Sequence, residues 1–200
     1  MSGTAQIGLY AEFAGNVIRQ LPRDISSEQM KRWNADQASL QRILRSALMP
    51  VEKSDDGFFT ITDDPNIKTS EIVARLRQKF KVYVYREEHL DTDFPAPKEA
   101  TTRRFKKTVE ADPEYAGKSA NDVQNLPGIT LRERLLTEEA YFDEAGKHLD
   151  PKTWTICSGS RYSGGDVPFV GWGPASQGLG VGWDWPDCRG SGGRPRVAVS

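Results

Sequence analysis

The sequence predicts an α+β protein: an N-terminal helical hairpin, then a mixed α/β region that ends in a small Trp- and Gly-rich antiparallel sheet. Three observations lead to this prediction. Apolar residues recur every three or four positions in the first fifty residues, the pattern changes to strand, helix, strand over 58–110, and it alternates with period two after Pro151. We therefore expect a hairpin at 1–50 and one α+β domain at 51–200.

The predicted hairpin consists of two amphipathic helices separated at Pro22. Ser26 can cap the second helix, which carries Trp33 on its apolar face and stops before Pro50. Exposing two apolar helix faces of this size to water is unfavourable. The link that follows them is polar and ends in glycine, as a spacer between independent units would. The hairpin must therefore pack on residues 51–200 or pair with the hairpin of another copy, and we favour the second, a homodimer through residues 5–49.

The next segment has the composition of strand, helix and strand. Residues 58–62 are β-branched and aromatic, Thr69 or Ser70 can cap a helix, and 81–86 alternate as a second strand. This length suits either a βαβ unit or a small ubiquitin-like unit, and the sequence leaves both open. Residues 103–109 are a weaker third strand because of their charge.

The clearest helix of the protein is predicted at 129–146. Thr130 can accept a hydrogen bond from the backbone amide three residues on, while Glu133 reaches back to complete a capping box. Gly146 ends the helix as its C′ residue.

The C-terminal fifty residues hold four of the five tryptophans and most of the glycines. Their alternation predicts four short antiparallel strands at 154–157, 168–172, 179–185 and 196–199. In the third of these strands one face is apolar and the other is mostly glycine. Such a face leaves room for a helix, a partner strand or a ligand to lie flat on the sheet.

Several segments of this half carry a family resemblance. They are Gly117-Lys118-Ser119, the helix from Ile129 to Leu136 with Tyr141-Phe142, His148-Leu149-Asp150, the run from Trp154 to Gly165, Val167-Pro168, and Arg196 to Ser200. Together they resemble an uncharacterised family from reduced, episymbiotic bacteria of the candidate phyla. The resemblance covers roughly 58–200 and implies an intact intracellular domain. That family has no established activity, so the resemblance implies no catalytic residue.

The amino-acid composition argues against several classes of protein. There are 27 Lys and Arg against 28 Asp and Glu, a formal net charge of -1, which argues against a dedicated duplex-DNA binder. No apolar run is long enough for a membrane span, and the first residues do not resemble a secretory signal. Two cysteines are too few for a disulfide framework. We expect a cytoplasmic protein.

Catalytic residues receive little support from the sequence. The weak candidates are Cys157 as a nucleophile with His148 and Asp150 near it, because a thiolate needs a base or a cation beside it. We favour a cysteine buried in a strand and a histidine at a helix end. The spacing of His89, His148, Cys157 and Cys188 is not that of metal ligands, so neither a metal nor a cofactor is expected.

The leading functional hypothesis is a non-enzymatic interaction module that binds a protein or peptide through the aromatic, glycine-rich C-terminal sheet. The predicted binding residues are Arg161, Tyr162, Trp172, Trp183, Trp185, Arg194 and Arg196. One alternative is nucleic-acid binding by Arg161, Arg194, Arg196 and the basic cluster near residue 105. A second is a Cys157-dependent enzyme. It also remains open whether the indoles are simply the core of the sheet.

Overall fold

A computed structural model describes residues 19, 26–36 and 56–199. The chain divides into two units, Met1–Ser54 and Asp55–Ser200. In the first unit, helix α1 spans Ser27–Ala35, within the segment predicted for the second helix of the hairpin. Apart from Arg19, Ser26 and Asp36, the rest of the hairpin lies outside the described residues, so the homodimer stays a prediction. Among the described residues, no helix is both long and apolar enough to cross a membrane.

The second unit contains both helices and strands, which confirms the α+β class. Its helices are α2 (Thr69–Arg77), α3 (Leu90–Asp93) and α4 (Leu131–Ala145), with 3-10 turns at Glu87–His89 and Pro113–Tyr115. Its strands are β1 (Phe58–Asp63), β2 (Lys81–Val84), β3 (Thr101–Lys106), β4 (Trp154–Ile156), β5 (Val167–Gly173), β6 (Gly178–Asp184), β7 (Gly193–Pro195) and β8 (Ala198–Val199).

The strands form two sheets. A three-stranded antiparallel sheet has the order β1-β3-β8, and a five-stranded sheet has the order β2-β6-β5-β4-β7. The second sheet is mixed, because β2 runs parallel to β6 and β4 runs parallel to β7. The prediction of a wholly antiparallel C-terminal sheet is therefore wrong. Alternation identifies a strand but does not specify its partner or its direction.

The strand, helix and strand at 58–110 form neither a βαβ nor a ubiquitin-like unit. β1 pairs with β3, whereas β2 pairs with β6, nearly a hundred residues further along the chain. The two strands thus belong to different sheets. Pairing of this range depends on tertiary packing, which a local pattern does not record.

Helix α4 packs against β1 of one sheet and β5 of the other. One hydrophobic core joins both sheets with α2 and α4, and its fully buried members include Ile72, Leu76, Phe105, Leu131, Leu135, Val170 and Leu179. The capping box of α4 forms as predicted, with Thr130 accepting from the Glu133 amide and Glu133 accepting from the Thr130 amide. Gly146 adopts the left-handed conformation at the C-terminus, φ 62°.

The glycine face of β6 is covered in part by aromatic side chains from neighbouring strands. A Cβ at Gly178 would lie 2.4 Å from the Tyr83 ring, and one at Gly182 would lie 2.3 Å from the Phe169 ring. Between them, Gly180 meets only the Gly171 carbonyl oxygen, at 3.8 Å. The space that the sequence predicted is therefore occupied largely by the chain's own rings.

Candidate functional site

Helix α4 carries a buried charged network. The Arg134 guanidinium donates to Glu138 Oε2 at 2.8 Å and to Asp150 Oδ2 at 2.8 Å, and all three side chains are fully buried. The Thr155 hydroxyl also donates to Asp150, at 2.6 Å. Burial by itself lowers the pKa of Arg134, but the charges of Asp150 and Glu138 more than offset this, so the pKa is raised. The network therefore keeps a charged arginine in the interior.

His148 lies at the edge of this network, inside a group of aromatic rings. Its Nδ1 is 2.9 Å from Glu138 Oε1, and its ring stacks on Trp172 with centroids 3.3 Å apart and planes 3° apart. Phe80 and Phe142 also contact the ring. The predicted binding residue Trp172 is thus half-buried and engaged within the protein. These contacts give His148 and Trp172 a packing role.

The three weak catalytic candidates do not form a nucleophilic site. Cys157 is fully buried, and its Sγ contacts the Thr155 carbonyl oxygen at 3.9 Å. Burial raises the pKa of the Cys157 thiol, which keeps it protonated. Asp150 is engaged by Arg134 and His148 by Glu138. The environment of the thiol therefore gives no support to the alternative of a Cys157-dependent enzyme.

Two predicted binding residues lie in the interior, which corrects their predicted role. Arg196 is fully buried and donates to the carbonyl oxygens of Lys106 and Thr108. It lies between β7 and β8, where the chain passes from one sheet to the other, and this passage carries its side chain inside. Tyr162 is buried too, with its hydroxyl 3.4 Å from the Gly182 carbonyl oxygen. Neither side chain is available to a partner.

The basic cluster near residue 105 is neutralised within the protein. Its four cations form ion pairs, Arg103 with Glu133, Arg104 with Asp56, Lys106 with Glu114 and Lys107 with Glu144. Arg194 lies half-buried on β7. With Arg196 buried as well, the nucleic-acid alternative loses most of the charge on which it depends.

An exposed group of aromatic rings stands at the ends of β2 and β6. Trp185 is 63% exposed and Tyr85 44% exposed, while Trp183 is half-buried between them. The Tyr85 and Trp183 centroids are 5.9 Å apart, and those of Trp183 and Trp185 are 5.8 Å apart. Beneath them Tyr162 contacts Tyr85 at 6.1 Å and Phe94 at 4.9 Å. We call these five residues the aromatic row.

The predicted binding residues include Tyr162, Trp183 and Trp185 of this row, but the sequence analysis missed Tyr85 and Phe94. The signal for Tyr85 was present, since it follows an alternating strand, but its position depends on the parallel pairing of β2 with β6. The Tyr85 amide extends that pairing by donating to the Val181 carbonyl at 2.9 Å. Long-range pairing therefore brings the two halves of the row together.

Arg161, the remaining predicted binding residue, lines a cleft of about 430 Å³ that Phe94 also lines. Its Nη1 donates to the carbonyl oxygens of Ser158 and Ser160, at 2.9 Å and 2.8 Å. Among the residues that the structure describes, no group of three or more His, Cys, Asp or Glu side chains is placed to hold a metal ion. Comparison of the chain with models of known protein families, with curated proteins and with solved structures finds no match.

Proposed function

We propose that the protein is a non-enzymatic interaction module that binds a peptide segment of a partner protein through the exposed end of the aromatic row, Tyr85, Trp183 and Trp185. The observation that carries this proposal is that Trp185 and Tyr85 are both exposed and that both contact the same ring, Trp183. Large apolar side chains gathered on a surface, in place of scattered single ones, are typical of interaction sites.

The chemistry of these rings suits a peptide. Tyr and Trp dominate the energetics of protein interfaces because each offers a large apolar area and a polar group at its edge. Ring pairs that already contact each other also lose little conformational freedom on binding. Trp183 and Trp185 meet edge to face at 84°, so each supports the orientation of the other.

The backbone that carries Trp185 is fixed on both sides. The Trp185 amide donates to Asp184 Oδ1 at 2.9 Å, and its carbonyl accepts from the Cys188 amide at 3.0 Å. The next carbonyl, that of Pro186, accepts from the Asn121 amide at 2.9 Å. A turn held in this way presents the indole in one place, which favours recognition over a merely mobile exposed side chain.

Selection from a displayed library of random peptides tests this proposal on the full chain. We expect enriched peptides that bind the natural protein and bind Trp185→Ala at least about tenfold more weakly, a difference of about 1.4 kcal/mol. Quenching or a shift of tryptophan emission on titration would report the same contact.

Val109→Ala supplies the matched control, because Val109 is an exposed apolar residue outside the aromatic row. The selected peptides should bind this variant as they bind the natural protein. If no peptide is enriched, or if Trp185→Ala binds the selected peptides unchanged, this surface is not the binding site.

A further inference from the structure

The cleft beside Phe94 has properties that the aromatic row does not explain. It measures about 430 Å³, within the size range of small-molecule sites. Its lining comes from β1, the end of α3 and the loop after it, β3, the first turn of α4 and the loop at 159–161. Phe94, Pro95 and Pro97 supply the apolar part of the lining. Three acidic and three basic side chains supply most of its polar part.

Four of the six charged side chains are already paired within the protein. Arg132 donates to Asp63 at 3.0 Å and 2.5 Å, and both side chains are buried. Glu133 accepts from Arg103 at 3.0 Å and from the Thr130 amide at 2.8 Å. These two pairs build the cleft, and they leave Arg161 and Asp93 as the charges that a ligand could use.

Arg161 is held in place by neutral groups. The Ser158 and Ser160 carbonyls both accept from Nη1, so they orient the guanidinium without cancelling its charge. Within 56–199, no acidic side chain forms an ion pair with it, and no bond from its Nε or Nη2 is found. These two nitrogens are the edge of a guanidinium that binds a carboxylate in bidentate fashion.

Asp93 presents the opposite charge to the same cleft. Neither an ion pair nor a hydrogen bond to its carboxylate is found within 56–199. An ammonium group, with three donors, is the ligand group most complementary to such a carboxylate.

We propose that this cleft binds a small zwitterion, an amino acid or a short peptide, with the ligand carboxylate on Arg161 and the ligand ammonium at Asp93. The two protein charges line one cleft yet do not pair with each other, so a ligand that carries both signs satisfies both. The apolar wall of Phe94, Pro95 and Pro97 favours an apolar side chain on that ligand. A multiply charged anion such as phosphate would leave the Asp93 carboxylate without a cation and close to further negative charge, which disfavours it. This site is independent of the peptide binding proposed above.

Calorimetric titration of the full chain tests the proposal with phenylalanine and two analogues, each of which lacks one charge. We expect phenylalanine to bind, and both 3-phenylpropionate and 2-phenylethylamine to bind at least about tenfold more weakly. The remaining amino acids and the dipeptide Phe-Gly extend the panel to other side chains and lengths. The proposal is overturned if nothing in the panel binds at millimolar concentration, or if a single-charge analogue binds as well as the zwitterion.

Two variants assign the charges. Arg161→Gln and Asp93→Asn should each weaken the best zwitterion at least about tenfold, whereas Arg189→Gln, an exposed arginine outside the cleft, should leave its affinity unchanged. Unchanged binding by both cleft variants would place the ligand elsewhere. Because the analogue titration uses the natural chain, it decides the proposal even if a variant fails to fold. Trp185→Ala should bind the zwitterion normally, which separates this site from the peptide surface proposed at Tyr85, Trp183 and Trp185.

Discussion

Charged side chains fill part of the interior of this protein while aromatic rings stand on its surface, the reverse of the usual distribution. Arg134, Glu138 and Asp150 are fully buried, whereas Trp185 and Tyr85 face solvent. The difference lies in their partners. Each buried charge of this network is bound by another charged side chain, whereas the Trp185 ring contacts Trp183 and leaves most of its area to solvent. The buried charges are therefore satisfied within the protein, whereas the exposed rings retain apolar area that nothing described covers.

The largest loss of stability should come from removing the arginine of the buried charged network. Arg134→Met keeps an unbranched side chain but removes the guanidinium, which leaves Glu138 without its arginine and Asp150 with only Arg196, 3.7 Å away. We expect a loss of about 3–5 kcal/mol in the free energy of unfolding, measured by urea denaturation. Arg77→Met is the control, since the Arg77–Glu87 pair lies at the surface and exposed pairs contribute only about 0–1 kcal/mol. Equal losses in the two variants would show that burial does not distinguish these pairs.

Two tryptophans give the most direct form of the comparison, because the residue type is the same and only the surroundings differ. Trp172→Ala removes the ring that stacks on His148, and we expect a loss of about 3 kcal/mol, the low end for a large aromatic residue because this one is half-buried. Trp185→Ala should change stability by no more than about 0.5 kcal/mol. Thermal and urea unfolding of both variants measure this. A Trp185→Ala variant as destabilised as Trp172→Ala would make the exposed ring structural.

The glycine face offers a smaller and equally well-matched test. Gly171 and Gly180 lie opposite each other on β5 and β6, but a Cβ at Gly171 would lie 2.9 Å from the Trp154 Cβ and 3.1 Å from the Thr153 carbonyl oxygen. Gly171→Ala should therefore cost about 1–3 kcal/mol through overpacking. A Cβ at Gly180 would make only an ordinary contact with the Gly171 carbonyl oxygen, at 3.8 Å, so Gly180→Ala should stay within about 0.5 kcal/mol of the natural protein. Similar costs at both positions would mean that strand conformation, and not close packing, requires the glycines.

Local signals predicted local structure well. The capping box of α4 and its terminal Gly146 were predicted from neighbouring residues, because a cap is formed by residues three positions apart. The C-terminal strands at 154–157, 168–172 and 179–185 were also located by their alternation, whereas the predicted strand at 196–199 forms only β8, and β7 was missed. What failed was pairing, since neither the parallel β2–β6 contact nor the separation of β1 from β2 has a local signature.

The candidate site was predicted less well, for a physical reason. The pair Glu138-Glu139 has the composition of a solvated helix face, yet Glu138 is fully buried because Arg134 and His148 bind it there. Arg196 was assigned to the surface on its charge alone. Charge predicts exposure only where no partner is available inside, and the partners of these residues come from distant segments. The exposed Trp185 was found because composition identified the indoles.

The smallest expected effect concerns a buried carboxylate of which only one oxygen has a hydrogen-bond partner. Asp112 is buried, its Oδ2 accepts from the Val197 amide at 3.0 Å, and its Oδ1 has no partner among the described residues. Burial raises the pKa of Asp112, which the Val197 bond and the Arg196 charge offset only in part. A folded pKa above the unfolded value of about 3.9 means that its contribution to stability is fully present below that value and is lost as pH rises through the folded pKa.

Asp112→Asn stays neutral and keeps an oxygen for the Val197 amide, so its stability relative to the natural protein should improve as pH rises from about 3 to 7. Urea unfolding of both proteins across that range measures the difference. If the stability of the variant relative to the natural protein instead falls as pH rises, attraction to Arg196 outweighs the cost of burying the carboxylate.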